Sequence, residues 1–176
     1  IGSEALLTNT TGANNVSIGA QALKANTTAN YNTAVGYDAM RYNTTGTYNC
    51  ALGWSALDSN TTANNLTAVG YNALQANTTG SENTAVGSSA LDANTTGSNN
   101  IGIGYDVLGA NTTGAQNTAV GVYALDAATD LSGITAFGYS SLSALSSGTG
   151  GVAVGYRALQ SNTTGNNNVA VGYDAG

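Results

Sequence analysis

An apolar residue followed by glycine recurs every 17 residues along the whole chain. A small residue, mostly alanine, comes four positions after each apolar residue, and leucine or Met40 usually follows it. Each unit reads approximately N-T-A-V-G-Y-x-A-L-x-x-N-T-T-G-x-x. The recurring apolar residues are Ile1, Ile18, Val35, Leu52, Val69, Val86, Ile103, Val120, Phe137, Val154 and Val171. Because an insertion would break the stacking of like on like, this constant spacing predicts that each unit is one structural rung.

The rung is too short for a pair of helices, and its glycine and β-branched residues disfavour helix. Seventeen residues suffice for one flattened coil with two short strands and two turns. The alternation in T-A-V-G-Y is typical of a strand. The sequence therefore predicts an all-β fold, a parallel β-solenoid or β-roll, with residues 1–176 forming a single repeat array of ten rungs and part of another.

The strand pattern also predicts what each face of the sheet carries. Thr33, Val35 and Tyr37 share one face, and Ala34 and Gly36 share the other. An Ala and Gly face allows close packing and predicts a narrow interior, with the recurring apolar residue at the core position of the repeat. Stacked apolar and aromatic residues would form a stripe larger than soluble monomers usually expose. We therefore expect identical chains to cover it, as a homotrimer about one axis.

Composition limits the classes of function. The chain has 24 Gly, no Pro, no His and 7% charged residues, and its net charge is −6. With only three basic residues it lacks the surface that binds nucleic acid. No stretch approaches the length of a membrane-spanning helix, so we expect no membrane insertion by this segment. We expect a piece of a longer fibre protein, and a buried thiol at the single cysteine, Cys50.

The N-T-A-V-G-Y-x-A-L-x-x-N-T-T-G unit resembles the head repeats of trimeric autotransporter adhesins, which form a left-handed parallel β-roll. It is also similar to repeat arrays of phage tail fibres and of bacterial surface fibres. The resemblance covers the whole chain and implies trimerisation, a location on a bacterial surface or a phage virion, and a binding or spacer role. Asn-Thr-Thr is lost in two units, at 128–131 and 145–148, although the spacing holds.

The Asn-Thr-Thr motif has two interpretations. Its asparagines match the acceptor pattern for N-glycosylation. They also suit a turn, where they stack into ladders of amides, and the sequence favours this structural interpretation. The candidate asparagines are Asn9, Asn26, Asn43, Asn60, Asn77, Asn94, Asn111 and Asn162.

An aromatic residue follows the glycine in seven units. This aromatic column could stack sugar rings, or it could stabilise the ladder and the contacts between subunits, which is the favoured interpretation. Its members are Tyr37, Trp54, Tyr71, Tyr105, Tyr139, Tyr156 and Tyr173.

Catalysis has little support in the sequence. Histidine is absent, which removes the commonest general base and metal ligand. Asp58, Asp92 and Asp126 occupy equivalent positions two rungs apart and are predicted to be solvated surface acids. The segment 148–153 matches a loose dinucleotide-binding fingerprint, but no helix follows it. We predict no enzyme activity, no catalytic residue, no metal and no cofactor.

These observations together predict an extracellular structural fibre or adhesin shaft that presents or contributes a receptor-binding surface for a cell-surface glycan or protein. A self-assembling extracellular filament is the alternative. An ice-binding solenoid is a remote one, because the adjacent threonines of Asn-Thr-Thr point to opposite sides.

Overall fold

The structure, a computed structural model, describes residues 1–176 as a parallel β-solenoid without helices. Ten strands of three residues form one parallel sheet in which every strand pairs with the strands before and after it in sequence. The strands are β1 (Val16–Ile18), β2 (Thr33–Val35), β3 (Cys50–Leu52), β4 (Thr67–Val69), β5 (Thr84–Val86), β6 (Ile101–Ile103), β7 (Thr118–Val120), β8 (Thr135–Phe137), β9 (Val152–Val154) and β10 (Val169–Val171). The predicted all-β solenoid with 17-residue rungs is confirmed.

The register between strands is one unit of the repeat at every step. Thr33 pairs with Cys50 and Val35 pairs with Leu52, and the same shift relates all the other strand pairs. Each rung therefore lies directly on its predecessor. With a separation of about 4.8 Å between parallel strands, the ten strands extend over about 45 Å along the axis.

Each rung contains one strand, so the predicted second strand is wrong. The rest of the rung is a series of turns, and three non-glycine positions in it have left-handed backbone, as at Asp38, Met40 and Tyr48 with φ of 56°, 51° and 59°. Of the 108 backbone hydrogen bonds, only 18 join two strand residues, and many of the other 90 join a turn to the equivalent turn of the next rung. The stacked turns therefore carry most of the bonding between rungs.

The interior is filled by leucines and alanines. The leucine that follows the small residue is fully buried in the middle rungs, as are the central alanines of most strands. The recurring apolar residue was predicted at the core position, and this is wrong: Leu52 is 48% exposed. It lies on the outward side of its strand, because the pleat sends the intervening Ala51 inward.

The glycine after each apolar residue serves the contact between rungs. Gly70 has a φ of 139°, and a Cβ added there would lie 2.3 Å from the carbonyl oxygen of Gly87 in the next rung. The same arrangement recurs along most of the array. The prediction that alanine lines the interior is confirmed, whereas the glycine of the predicted face instead allows close approach between rungs along the axis.

Candidate functional site

The outward face of the sheet is the most extended apolar surface of the solenoid. We call it the apolar face; it consists of the first and third residues of β1 to β10, of which the third is always apolar and the first is threonine in five strands. Several of its members are at least 40% exposed, including Val16, Ile18, Leu52, Ile101 and Ile103. Cys50 begins β3 on this face and is partly exposed, so the expectation of a buried thiol is wrong.

The aromatic column lies beside the apolar face, two residues after the end of each strand. All seven predicted members are exposed, from 42% at Tyr156 to 75% at Tyr173. Sequence reasoning missed Tyr123, which packs edge-on against Tyr105 and Tyr139 and so bridges the rung where Val122 occupies the column. Ser88 occupies the column between Tyr71 and Tyr105 and divides it into two groups.

The two groups differ in the orientation of their rings. In the C-terminal group, Tyr156 stacks on Tyr139 and on Tyr173 with interplanar angles of 12° and 9°. Each of these rings therefore covers a face of its neighbour. In the N-terminal group, Trp54 is tilted by 54° to Tyr37 and by 60° to Tyr71, with centroid distances of 5.2 and 6.3 Å. Neither Tyr37 nor Tyr71 is therefore stacked on the indole of Trp54.

A second aromatic pair lies just before β2 and β3 in sequence. Tyr31 and Tyr48 stack with their centroids 5.1 Å apart and their planes within 5°. Both are more than half exposed and have left-handed backbone, with φ of 58° and 59°. Asn, Gln, Glu or Gly occupies this position in the other rungs. The 17-residue alignment of the units could have identified this pair.

The asparagines of Asn-Thr-Thr form an amide ladder inside the solenoid. Asn94 donates through Nδ2 to Asn77 Oδ1 at 2.8 Å, and Asn111 Nδ2 donates to Asn94 Oδ1 at 2.9 Å. The same bond links Asn26 to Asn9, Asn43 to Asn26, Asn60 to Asn43 and Asn77 to Asn60. The ladder that the sequence favours is therefore present.

A second column of asparagines, just before the strands, closes the same turn. Asn83 Nδ2 and Asn94 Nδ2 both donate to the carbonyl oxygen of Gly97, at 2.7 and 3.0 Å. Asn100 and Asn111 converge in the same way on Gly114. Two buried asparagine side chains thus donate to one inward-facing carbonyl oxygen. A buried carbonyl in a turn needs such donors because no neighbouring strand provides one.

The ladder bears on the candidate glycosylation sites. Asn26, Asn43, Asn60, Asn77, Asn94 and Asn111 are fully buried, while Asn9 and Asn162 near the two ends are partly exposed. At the six buried positions the nitrogen that would carry a glycan donates two hydrogen bonds within the solenoid. A glycan there is incompatible with this folded state, so we do not propose N-glycosylation.

The two threonines of the motif differ in exposure. The first donates through its hydroxyl to a carbonyl of the next rung, as Thr95 does to Thr112 at 3.0 Å. The second, such as Thr96, is exposed and its hydroxyl makes no hydrogen bond with the protein. Rungs that keep the motif therefore offer one free threonine hydroxyl each, on the opposite side from the bonded one.

The ladder is interrupted where Asn-Thr-Thr is lost. Ala128 and Leu145 occupy the ladder position and are buried. Their neighbours along the ladder, Asn111 and Asn162, are left with Oδ1 and Nδ2 respectively buried and without a hydrogen-bond partner. The rungs keep their stacking here, but the polar ladder ends on both sides of the interruption.

Charged residues form two small groups beyond the aromatic column. Arg41 contacts Asp38 at 3.0 Å and Asp58 at 3.1 Å. Burial raises the pKa of Asp58, and the Arg41 charge opposes the shift. Asp58 is 7% exposed, so the prediction of a solvated surface acid is wrong for it.

The second group consists of Asp92, Asp106 and Asp126, with no basic partner. Burial raises the pKa of Asp92, and the negative charge of Asp106 adds to the effect. Burial also raises the pKa of Asp126, again with a smaller contribution from Asp106. Asp92 and Asp126 are partly buried, so they too differ from the predicted solvated acids. No cluster of three or more His, Cys, Asp or Glu has a geometry suited to a metal ion.

One surface cavity of about 170 Å³ brings together two of the three basic residues. Its lining includes Lys24, Arg41 and Tyr42, whose ring lies 4.4 Å from the Arg41 guanidinium carbon. Lys24 pairs with Glu4 at 2.7 Å, and Arg41 is held by two aspartates. The acids outnumber the bases in this group, which disfavours an anionic ligand.

Comparison with known proteins found no match among family models, curated proteins or solved structures. The structure contains no helix with the length and hydrophobicity needed to cross a membrane.

Proposed function

We propose that this chain is a non-enzymatic structural segment of an extracellular fibre, a shaft of the kind found at bacterial surfaces or in phage tail fibres. The observation that carries the proposal is the ten-stranded sheet, which continues from the first strand to the last with an exposed apolar outer face. A solenoid of this kind is elongated and presents the same surface on every rung. The shaft holds a binding element away from its base and contributes weak, repeated contacts of its own, which multivalency strengthens.

The repeat motif supports this assignment. The unit resembles the head repeats of trimeric autotransporter adhesins, and a parallel solenoid with 17-residue rungs is compatible with such β-roll repeats. The chemistry of the surface also agrees with a structural role. The charged side chains are few, and the buried asparagines serve the ladder between rungs.

The apolar face supports an assembly of like chains. It runs along all ten rungs, and monomeric proteins rarely leave a continuous apolar surface of that extent uncovered. An identical chain in parallel orientation offers the same 17-residue period, so every rung of one chain can meet a rung of another. A closed ring of three chains covers three such faces without leaving a free edge to propagate.

Sedimentation equilibrium over a hundredfold range of concentration tests this proposal. We expect a single species with three times the 17.4 kDa mass of one chain. A mass that increases continuously with concentration would favour the filament instead. A monomer at every concentration would contradict the assembly on which the proposed function depends.

A further inference from the structure

We propose that Tyr37, Trp54 and Tyr71 form a binding site for a neutral polysaccharide, with one sugar residue on each of three successive rungs. This inference rests on the proposed function of the array. It names neutral polysaccharides as the ligands that the side of the shaft would contact. It separates the N-terminal group of the aromatic column from the C-terminal group, which we assign to the stability of the ladder.

The orientation of the rings is the first argument. The rings of Tyr139, Tyr156 and Tyr173 stack nearly parallel, so both faces of Tyr156 are covered by its neighbours. The tilts of 54° and 60° around Trp54 mean that neither neighbouring ring is stacked on its indole, and the residue is 58% exposed. A sugar binds an aromatic side chain through the face of the ring, with its own C–H groups against the π-system.

The spacing of the rings is the second argument. The centroids of Tyr37, Trp54 and Tyr71 follow one another at 5.2 and 6.3 Å along the solenoid axis. This separation is similar to the length of one hexose in an extended polysaccharide chain. A polysaccharide that runs parallel to the axis can therefore place successive sugars on successive rungs.

The charge of the surrounding surface is the third argument, and it restricts the ligand to a neutral one. The nearest basic residue in sequence, Arg41, is engaged by Asp38 and Asp58. These three residues together carry an excess of negative charge. Acidic sugars are disfavoured by this balance, whereas neutral sugars are unaffected by it.

The array itself shows that the site can be removed without disturbing the fold. Ala20 and Ser88 occupy the equivalent position in other rungs, and the strands beside them keep the same register. Trp54→Ala should therefore remove the ring without disturbing the fold, and it tests binding alone. Tyr156→Ala in the C-terminal group is the matched control, because it removes an equally placed but stacked ring.

Affinity electrophoresis in gels containing xyloglucan, galactomannan or dextran tests the proposal, with heparin as the charged comparison. We expect at least one neutral polysaccharide to retard the wild-type protein. Trp54→Ala should raise the dissociation constant about 3- to 10-fold, which corresponds to the loss of one aromatic contact. Tyr156→Ala should leave the dissociation constant unchanged.

Three results would overturn this site: no retardation by any neutral polysaccharide, retardation by heparin alone, or equal weakening by Trp54→Ala and Tyr156→Ala. Sedimentation of each variant separates this failure from that of the proposed function. A trimer that binds no sugar contradicts only the site. Dissociation of the trimer by Trp54→Ala would show that this ring is a contact between chains and would also overturn the site.

Discussion

Replacing Gly70 with alanine should destabilise the array by about 4 kcal/mol or more, which is at the upper end for single substitutions. The backbone at Gly70 has a φ of 139°, a region that residues with a Cβ rarely adopt. The added methyl group would also lie 2.3 Å from the Gly87 carbonyl oxygen. Because backbone atoms cannot move aside cheaply, the two rungs must separate locally. Urea unfolding followed by circular dichroism measures the change.

Gly133→Ala is the matched control for this experiment. Gly133 also has a positive φ, of 72°, but an added Cβ would meet nothing within 4 Å. Gly133→Ala should therefore lower the free energy of unfolding by only about 1 kcal/mol, the penalty for left-handed backbone alone. Equal losses in the two variants would contradict the role given to the contact between rungs.

Replacing Asn94 with alanine should destabilise the array by about 2 to 3 kcal/mol. The change leaves Asn77 Oδ1 buried without its donor and removes one of the two donors to the Gly97 carbonyl oxygen. A buried polar atom left without a partner costs about 1 to 3 kcal/mol. Thermal and urea unfolding of the variant give the magnitude.

Thr96→Ala, in the same Asn-Thr-Thr motif, is the control for Asn94→Ala. Its hydroxyl is exposed and makes no hydrogen bond with the protein, so its loss should change the free energy of unfolding by no more than about 0.5 kcal/mol. If Thr96→Ala costs as much as Asn94→Ala, the ladder is not the main contribution of the motif to stability.

The repeat period was sufficient to predict the fold class. A 17-residue spacing that never slips requires rungs in register, and the pairing of Thr33 with Cys50 follows from it directly. The amide ladder was predictable for the same reason, since identical residues on successive rungs meet one another. The strand register and the amide ladder depend only on the repeat period and on residue type, and both can be read directly from the sequence.

The internal arrangement of the rung was less predictable. Alternation places Val35 and Ala34 on opposite sides of the strand, but it does not say which side is the interior. The face of Ala and Gly predicted a narrow interior, and the structure does bury Ala34. The pattern did not predict that Met40 and the equivalent leucines fill the core beside it. The left-handed backbone at Met40 also has no simple sequence signal, because a long apolar side chain rarely adopts it.

The ring orientations of the candidate site lay beyond sequence reasoning altogether. The sequence placed Trp54 and Tyr156 in one column and could not distinguish them. Their difference depends on side-chain packing with the neighbouring rungs, which shows stacked rings around Tyr156 and tilted rings around Trp54.

The central claim is that like chains cover the apolar face, and cross-linking through Cys50 tests it most directly. Cys50 begins β3 on that face and is the only cysteine. A short bismaleimide linker should join the Cys50 thiols of two neighbouring parallel chains. We therefore expect the wild-type protein to run as a covalent dimer on a denaturing gel. A Cys50→Thr, Thr79→Cys double variant, in which the thiol lies in the Asn-Thr-Thr turn and not on the apolar face, should stay uncoupled. Threonine already occupies the Cys50 position in β2 and β4, so the fold should tolerate the change. Coupling through position 79 and not through Cys50 would contradict the account.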